Sequence, residues 1–414
     1  MKDFYDFKID NIKNLSLEEK NLRKKDLDLF FQNGFPNKKN EDWKFTDLNT
    51  ILEKNFNTIV NKNFISDEKK LKILDEFEHN FIFLVDGKLI SKNFDYEDKN
   101  NIFIEDYNYK NEIISEKKNS LTLLNNALAT GGFTLEVSKH YKFLKPLVIY
   151  NYFSKNLKES IINNKNSLIL NENSELTLIN YIDDESKDNF MANTIEKIII
   201  KNYASLKNIF INNSRCNGYF YKYIKSVLEK GSNCENYLLS TGLKFNKLDI
   251  EIDHNQKNSK SSIFSALNLL SSEHQEIKTR INHNAPNCQS YQKIKNVLND
   301  QSKGVYQGKI FVEANAQKTD AYQLSKALIL NDNSEFDAKP ELEIYADDVK
   351  CSHGSTSGSV DFDSVHYLKT RGIPEKDALK MLINGFLSEV LEKLNDDNLK
   401  NFLFAKLERQ INGY

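Results

Sequence analysis

A cysteine and a histidine two positions apart are the residues of this sequence best suited to bind a metal. They occur in the segment YADDVKCSHGSTSGSVDFDSVHYLKTRG, residues 345–372. The first half of the segment alternates as a β-strand does, so Val349, Cys351 and His353 are predicted to share one face. A thiol and an imidazole on one strand face can both reach a single soft metal ion or a cluster iron.

Two ligands do not make a closed site, because a tetrahedral metal needs four. The remaining ligands would come from distant residues or from another chain. The alternative is that there is no site: a free cysteine is often simply buried, and a lone histidine is more often structural.

The residues that follow this pair predict a change of structure. Residues 354–359, GSTSGS, are predicted to break the strand, and Asp361 or Asp363 can cap a helix that follows. The pair is therefore expected where a β-rich part of the chain gives way to a helical part.

Composition narrows the class of protein. The 414-residue chain carries 57 Lys and Arg against 59 Asp and Glu, a balance that disfavours nucleic acid as a partner. The N-terminus lacks the apolar core of a signal peptide, and no apolar run approaches the ~18 residues of a membrane span. Widely spaced cysteines fit a reducing compartment, so we expect a cytoplasmic protein without membrane contact. The cysteines are Cys216, Cys234, Cys288 and Cys351.

The common motifs of stand-alone enzymes do not occur in the sequence. The nearest match to a phosphate-binding loop, GVYQGKI at 304–310, is one residue too short between its glycines. It also has Ile310 where Ser or Thr would hold magnesium. No GxSxG, HExxH or GxGxxG motif is found. We therefore expect that the chain does not hydrolyse ATP itself.

The N-terminal third is predicted to be mostly helical. Residues 1–75 repeat apolar side chains at roughly helical spacing, and a further helix is predicted at 111–130. Residues 81–94 are predicted to form a hairpin that turns at Asp86 and Gly87. The single tryptophan, Trp43, is interpreted as a packing anchor.

From about residue 133 to 353, short apolar runs alternate with small polar breaks. A period of this length is typical of stacked units, and strand-dense text without helices favours the coils of a right-handed β-helix. A two-sheet sandwich stays open as the alternative. The breaks at Asn173–Ser174, Tyr203–Ala204, Gly231–Ser232 and Asn258–Ser259 come at steps of 30, 28 and 27 residues, whereas those at Asn315–Ala316 and Asn333–Ser334 are irregular.

The chain is predicted to be helical again from about residue 361. Pro374 suits a first helical turn, and a last helix is expected at about 397–410. The apolar stripe between them is wide, so part of it should pack on a neighbouring helix. The rest either receives a partner or completes a self-contained cap. Its members are Leu379, Leu382, Ile383, Phe386, Leu387, Val390, Leu391 and Leu394.

Several stretches together resemble one protein family. ADDVKCSHGST followed by LKTRGI, GKIFVEANAQKTDAYQ and the NEDWKFT element are similar to the SufB/SufD family of iron–sulfur cluster assembly proteins, and KCSHG is closer to its SufD branch. The resemblance is nearly continuous over residues 289–373. It implies a mainly β fold, with a right-handed parallel β-helix core at 111–355 that opens on the entry helix. A mostly helical N-terminal domain at 1–110 and a helical C-terminal domain at 356–414 would flank it.

The resemblance also implies a function. It makes the chain a non-catalytic scaffold subunit that pairs with SufB through an open strand edge at residues 340–353 and docks the ATPase SufC on its C-terminal helices. His353, with Cys351 as a second candidate, would bind a transient iron–sulfur cluster shared with SufB. The chain alone would hold no cofactor and could form a homodimer when isolated. The partner-binding residues predicted on this basis are Asp361, Tyr367, Arg371, Leu379, Leu382, Phe386 and Val390.

Two other functions stay open. A β-helix carbohydrate lyase or hydrolase needs clustered carboxylates, which Glu341, Glu343, Asp347 and Asp348 could supply. A purely structural β-helix homodimer needs no site at all. Four further residues are interpreted as strand, corner or coil-packing residues: His283, Cys288, Tyr322 and Gln323.

Overall fold

The computed structural model describes residues 4–61, 73–107, 119–182, 187–213 and 216–411. Its helices are α1 (Leu17–Asn33), α2 (Leu48–Asn55), α3 (Ser120–Leu128), α4 (Phe362–Thr370), α5 (Glu375–Ser388) and α6 (Asp397–Ile411). Its strands are β1 (Tyr5–Asp6), β2 (Ile59–Asn61), β3 (Asn80–Val85), β4 (Lys88–Asn93), β5 (Ile102–Asp106), β6 (Gly131–Val137), β7 (Leu147–Tyr152), β8 (Ser160–Leu170), β9 (Glu175–Ile182), β10 (Phe190–Ile200), β11 (Ser205–Asn213), β12 (Gly218–Leu228), β13 (Asn233–Thr241), β14 (Phe245–His254), β15 (Lys260–Leu269), β16 (His274–His283), β17 (Gln289–Leu298), β18 (Lys303–Val312), β19 (Asp320–Ile329), β20 (Glu335–Ile344) and β21 (Lys350–Ser359).

The strands from β6 onward coil into a parallel solenoid of about seven turns. Each turn adds one strand to each of two facing sheets, so a strand pairs with the one two places along the chain. Even-numbered strands from β6 to β20 form sheet A, and odd-numbered strands from β7 to β21 form sheet B. The prediction of a mainly β fold with a parallel β-helix core is confirmed.

The predicted breaks are corners of the coils. Asn173, Tyr203, Gly231 and Asn258 all have positive φ, and each is followed by a small residue that is almost fully buried. A positive φ turns the chain sharply, and a small side chain fits inside the bend. The repeat then continues regularly at Asn287–Cys288 and Lys318–Thr319, with steps of 29 and 31 residues. The break noted at Asn315–Ala316 lies three residues earlier in the same β18–β19 connection, and the one at Asn333–Ser334 lies in the β19–β20 connection.

The interior of the solenoid is filled by alternate residues of the two facing sheets. Ile250, Ile277 and Ile294 belong to one continuous aliphatic cluster that runs through successive turns. Because side chains of a strand point alternately to opposite faces, the intervening residues form the outer faces of the sheets.

The N-terminal elements lie on the outer face of sheet A. Helix α3 packs against β8 and β10, and the predicted hairpin is confirmed as β3 and β4, with Asp86 and Gly87 at positive φ. The hairpin is not separate from the solenoid, because β3 pairs with β7 in parallel. Of the predicted helix at 111–130, Ser120–Leu128 is observed as α3, and Ala129 is already extended. Residues 111–118 lie outside the described residues, as does the predicted domain boundary at 110.

The C-terminal helices lie on the outer face of sheet B, where α5 packs against β15 and β17. The Asp361 carboxylate accepts a hydrogen bond from the Asp363 backbone N–H and caps α4. Of the two capping residues predicted, Asp361 and Asp363, the structure therefore has Asp361. Helices α5 and α6 begin and end close to the predicted positions. Within the described ranges, no helix combines the length and the hydropathy that a membrane span requires.

The strand does not break after His353, contrary to the prediction from the sequence. Strand β21 continues through the glycines and serines to Ser359, in register with β19 from Gly354 opposite Leu324 to Ser359 opposite Ile329. Pairing with a long neighbouring strand outweighs the low strand propensity of glycine and serine, which is a weak and context-dependent preference.

Candidate functional site

The last turn of the solenoid ends in two strands with free edges, β20 and β21, which we call the rim. Among the described residues β20 pairs only with β18, and β21 pairs only with β19. The backbone N–H of Lys350 donates to the Thr319 carbonyl at 2.8 Å, so backbone groups of the even-numbered residues of β21 face β19. Those of Cys351, His353 and the following odd-numbered residues therefore face the free edge.

Cys351 and His353 share the inward face of β21, as predicted. In register they lie over Ala321 and Gln323, which are buried inside the preceding turn. Because no turn covers them in the chain as described, Cys351 is half-buried and His353 is exposed. Burial raises the pKa of the Cys351 thiol, so the thiol form is favoured near neutral pH until a metal displaces the proton.

A buried polar network forms the floor beneath His353. Gln292 donates to the Gln323 carbonyl oxygen at 3.4 Å, and Tyr306 donates its hydroxyl proton to Gln292 at 3.2 Å. Gln323 in turn donates to the Gly308 carbonyl at 3.3 Å. A Cβ on Gly308 would lie 2.4 Å from the Tyr306 hydroxyl and 2.7 Å from Gln323, so the network depends on a residue without a side chain there. Gln323 does pack inside a coil, and it does so directly below the candidate imidazole.

The inward face of the rim carries two candidate metal ligands, Cys351 and His353. No group of three or more His, Cys, Asp or Glu side chains that could hold a metal ion is found in the part of the chain that the structure describes. A thiol and an imidazole suit zinc, copper or an iron–sulfur cluster, but each of these needs further ligands. A metal centre at the rim would therefore need further ligands beyond Cys351 and His353.

A second cluster of polar side chains lies deeper in the same interior. The rings of His254 and His283 stack with centroids 4.6 Å apart and planes 4° from parallel. Ser259 and Ser261 lie within hydrogen-bond distance of the two His254 ring nitrogens, and Ser290 lies 2.9 Å from His283 Nε2. Burial lowers the pKa of both histidines, that of His283 to about 4. The sequence carried a signal for this pair, since a spacing of 29 residues equals one turn.

Cys288 is a corner residue, as interpreted from the sequence. Its thiol is fully buried and lies 3.3 Å from the Ser259 hydroxyl. Tyr322 lies on the outer face of sheet B, where its ring stacks on Tyr291 with centroids 5.3 Å apart. Neither side chain reaches the rim's free edge, so both have packing roles.

Trp43 anchors the N-terminal elements to sheet A. The Lys247 ammonium lies 4.4 Å from the centre of the indole ring and forms a fully buried ion pair with Glu276. Glu276 also accepts hydrogen bonds from Thr46 at 2.7 Å and from Gln307 at 2.7 Å. The network therefore joins the N-terminal elements to β14, β16 and β18.

The same N-terminal turn reaches the rim. Glu41 forms an ion pair with Lys339 of β20, and Asp42 forms one with Lys278 of β16. The turn Glu41–Trp43 therefore contacts each strand of sheet A from β14 to the last turn. This contact pattern could not be read from the sequence, because the paired residues are hundreds of positions apart.

The predicted partner-binding residues divide by burial. Tyr367 and Arg371 are exposed and stacked, with the guanidinium carbon 5.2 Å from the ring centre, and Asp361 is exposed at the start of α4. Val390 is fully buried against sheet B. The remaining predicted residues, Leu379, Leu382 and Phe386, are partly buried.

The carboxylates proposed for a carbohydrate-active enzyme lie around the rim. Glu343 pairs with Lys309, and Glu341 lies 3.5 Å from Lys339, both on the outer face of β20. Asp347 and Asp348 are exposed in the turn between β20 and β21. Lysine partners on the outer pair are typical of a structural charge ladder.

Two family models match the chain and together cover most of it. The SufBD core domain of SUF system FeS cluster assembly matches residues 152–386, and the SufBD protein N-terminal region matches residues 1–149. The core model therefore spans most of the solenoid together with α4 and most of α5.

Curated relatives carry the same description. The iron–sulfur cluster assembly protein SufD of Escherichia coli is 25% identical over 390 residues, which is 94% of this chain and 92% of that protein. SufD of Bacillus subtilis is 25% identical over 315 residues, 74% of this chain and 70% of that protein. An iron–sulfur cluster assembly SufBD family protein of Synechocystis is 26% identical over 236 residues, 56% of this chain and 52% of that protein. With a core-domain match that covers more than half of its length, this chain belongs to the SufBD family of iron–sulfur cluster assembly proteins.

Proposed function

We propose that this chain is a non-catalytic scaffold subunit of a cytoplasmic iron–sulfur cluster assembly complex, and that a second family member, SufB, completes its rim. The observation that carries the proposal is a metal-ligand pair at an unpaired strand edge. A free edge presents backbone donors and acceptors that a partner strand can pair with. The residues on that edge include the two candidate ligands, Cys351 and His353.

The iron–sulfur cluster is the cargo of this assembly. His353 supplies an imidazole nitrogen and Cys351 a thiolate, and the partner chain supplies the remaining ligands. The thiol must lose its proton to bind iron, so ligand formation at Cys351 is coupled to pH. A cluster shared between two chains can be assembled at their interface and released when the interface opens.

The C-terminal helices provide the second proposed contact, with the ATPase SufC. Exposed aromatic and charged side chains around Tyr367 and Arg371 suit a docking surface, because aromatic residues and arginine are enriched in interface cores. Helix α5 is fastened to sheet B by Lys295, which donates to the Phe386 carbonyl at 2.7 Å and pairs with Glu389 at 2.6 Å. A movement of the C-terminal helices would therefore be transmitted to β17. In sheet B, β17 pairs with β19, which in turn pairs with β21, the strand that carries Cys351 and His353.

Replacing His353 tests the ligand role. In the complex co-expressed with SufB and SufC, His353→Ala should reduce the yield of reconstituted iron–sulfur cluster, measured by visible absorption and by iron and sulfide content. Ser352→Ala is the matched control, since Ser352 is on the same strand and points outward. A cluster yield as high in His353→Ala as in the control would remove the ligand role.

Replacing Tyr367 and Arg371 tests the SufC contact. Deleting residues 361–414 would also uncover the apolar outer face of sheet B, including Tyr237 and Phe264, so point variants are the cleaner probe. Tyr367→Ala with Arg371→Ala should abolish co-purification of SufC, while Lys393→Ala, an exposed change on the same helical layer, should not. Full retention of SufC by the double variant would reject this surface.

The two rival functions predict different outcomes. A carbohydrate-active enzyme would turn over an acidic polysaccharide, and a structural homodimer would have the same oligomeric state with and without SufB. Neither rival explains why an imidazole and a thiol face an open strand edge.

A further inference from the structure

One row of inward side chains on sheet B leads from the solenoid interior to His353. In register, Ile263, Gln292, Gln323 and His353 occupy successive turns on β15, β17, β19 and β21. Neighbouring strands of a sheet lie about 4.7–4.9 Å apart, so side chains at equivalent positions of a parallel sheet lie over one another. The imidazole of His353 therefore has the side-chain amide of Gln323 as its neighbour in the turn below.

The orientation of the Gln323 amide is fixed by a partner that can only accept a hydrogen bond. The Gly308 backbone carbonyl lies 3.3 Å from one end of the amide, and a carbonyl has no proton to donate, so that end is the Nε2 amino group. The oxygen Oε1 is at the other end, where it accepts a hydrogen bond from Gln292 at 3.4 Å. Gln292 is held in turn by the Tyr306 hydroxyl, which donates to it at 3.2 Å. All three side chains are almost fully buried, so water does not compete for these bonds.

The Gln323 oxygen has room for a second donor. An amide oxygen can accept two hydrogen bonds, and among the described residues Gln292 supplies one of them. A neutral imidazole has one N–H donor and one nitrogen with a lone pair. A histidine that binds a metal through one nitrogen carries its proton on the other, and an oxygen that accepts this proton fixes the tautomer and the orientation of the ring. Gln323 Oε1 is an oxygen of that kind, in the turn directly below His353.

We propose that Gln323 is a positioning residue for His353: its amide oxygen accepts the ring N–H and leaves the lone pair of the other ring nitrogen for iron. Gln323 does not touch the metal in this arrangement and acts through the imidazole. Gln292, Tyr306 and the Gly308 carbonyl hold the amide in the orientation that presents its oxygen. This inference rests on the proposed function, because it takes His353 as an iron ligand.

The first experiment observes the ring proton of His353 by NMR in the isolated full-length chain, labelled with ¹⁵N-histidine. A ring N–H that is bonded to a buried oxygen exchanges its proton with water slowly and gives a signal, whereas an exposed ring N–H exchanges too fast to be seen. The His353 signal is identified by its loss in His353→Ala. It should be present in the native chain and absent in Gln323→Met, which removes the acceptor at nearly constant side-chain size.

Gln292→Met is the matched control for this experiment. It also removes one amide from the buried network and takes a partner from the Tyr306 hydroxyl, but it spares the oxygen of Gln323 and its bond to the Gly308 carbonyl. The His353 signal should therefore persist in Gln292→Met. A signal that is lost in both variants, kept in both, or missing from the native chain would overturn the positioning role, because the ring proton would then not depend on the Gln323 oxygen.

The second experiment measures how firmly iron is held. In the complex with SufB and SufC, the reconstituted cluster is exposed to an iron chelator, and the rate of iron loss is followed by visible absorption. Gln323→Met should lose iron about tenfold faster or more, because removing the partner that orients a metal-binding histidine typically lowers metal affinity by about 10- to 100-fold. Gln292→Met should stay close to the native rate. Equal rates of iron loss in the two variants would overturn the positioning role.

Failure of this inference can be told apart from failure of the proposed function. If His353→Ala leaves the cluster yield unchanged, the ligand role in the proposed function fails, while the NMR signal still decides whether Gln323 orients the ring. If His353→Ala lowers the yield and the signal does not depend on Gln323, the proposed function stands and the positioning role fails.

Discussion

At the scale of single residues, the stacked histidines His254 and His283 are titratable groups buried in the solenoid interior. His254 and His283 are enclosed by each other's ring and by serines, whose neutral hydroxyls do not balance a positive charge. A proton on either ring would put a charge in a nonpolar interior, which is why both pKa values are lowered. The stability of the solenoid is therefore expected to depend on pH.

We predict that this pair makes the protein lose stability as the pH falls. The unfolded chain binds a proton on each histidine below about pH 6.5, whereas His283 in the folded chain does so only at about 4. Stability is therefore complete above about pH 6.5 and declines between about 6.5 and 4, by about 3 kcal/mol for His283. The measurement is the urea midpoint as a function of pH.

His283→Val should make this decline shallower, because one buried imidazole is removed while His254 and His274 still contribute. Valine suits the position because the next turn already carries Val312 at the same register. His366→Ala, a change at an exposed histidine, should leave the decline as it is. An equally steep decline in His283→Val and in the native chain would assign the acid sensitivity to other groups.

The sequence predicted that Cys351 and His353 share one strand face, because strand alternation needs only neighbouring residues. It did not predict the stacked histidines, although their spacing of one turn was visible. The small corner residue changes to Cys at position 288 and to Thr at position 319, so the sequence repeat is hard to recognise in these turns. The alternation of residues within one strand is therefore easier to predict from the sequence than the register between successive turns of the solenoid.

At the scale of elements, the rim depends on strand packing that permits polar groups in the interior. Gln292, Gln323 and Tyr306 replace the aliphatic side chains of earlier turns and satisfy one another by hydrogen bonds. A buried polar network is costly when one member is disturbed, because the others lose partners that water cannot replace. Gly308 is the position at which the network is most easily disturbed.

We predict that Gly308→Ala destabilises the protein by roughly 1–3 kcal/mol, the usual cost of overpacking a well-filled core. The added methyl group would displace the Tyr306 hydroxyl or the Gln323 amide. The measurement is the free energy of unfolding in urea. Gly358→Ala on β21 is the matched control, since no atom lies within 4 Å of its added Cβ, and it should have little effect. Equal stability of both variants would mean that the terminal turns adjust freely.

The course of β21 shows what the sequence could not give at this scale. Glycine and serine at 354–359 favoured a loop, yet β19 supplies a paired neighbour along the whole segment. Strand propensity is read locally, while strand pairing is set by a turn about 30 residues earlier. The helices were easier to predict, because the capping residue Asp361 and the apolar spacing after Pro374 each lie within or next to the helix that they specify.

At the scale of the whole molecule, the solenoid is covered on both sides, and the N-terminal cover is fastened by a buried ion pair. Lys247 and Glu276 have no exposed side-chain surface, and the pair sits under Trp43. Removing one partner of such a pair leaves the other charge in a poorly solvating interior. Trp43 was correctly interpreted as an anchor, but its partner could be identified only from the fold.

We predict that Lys247→Met destabilises the protein by about 3–5 kcal/mol and exposes the N-terminal elements to limited proteolysis. The double variant Lys247→Met with Glu276→Gln should recover much of that loss, because no charge is then left unpaired. Lys339→Met is the control in the same interface, and its exposed pair with Glu41 should contribute little. The urea midpoint measures the loss of stability, and the rate of limited proteolysis measures the exposure of the N-terminal elements.

The opposite order, with Lys339→Met more damaging than Lys247→Met, would contradict this view of the interface. It would mean that the contact at the last turn, and not the buried centre, holds the N-terminal elements in place.

The unpaired end of the solenoid has a further consequence, for the timing of local motions. In a stack where each repeat contacts only its neighbours, an inner turn is held from two sides and the terminal turn from one. Amide hydrogen exchange should accordingly be fastest along β20 and β21 and slow toward β14, with a gradient over a few turns. A second chain that extends the stack would convert the terminal turn into an inner one, so Cys351 and His353 would become ordered at the moment of assembly.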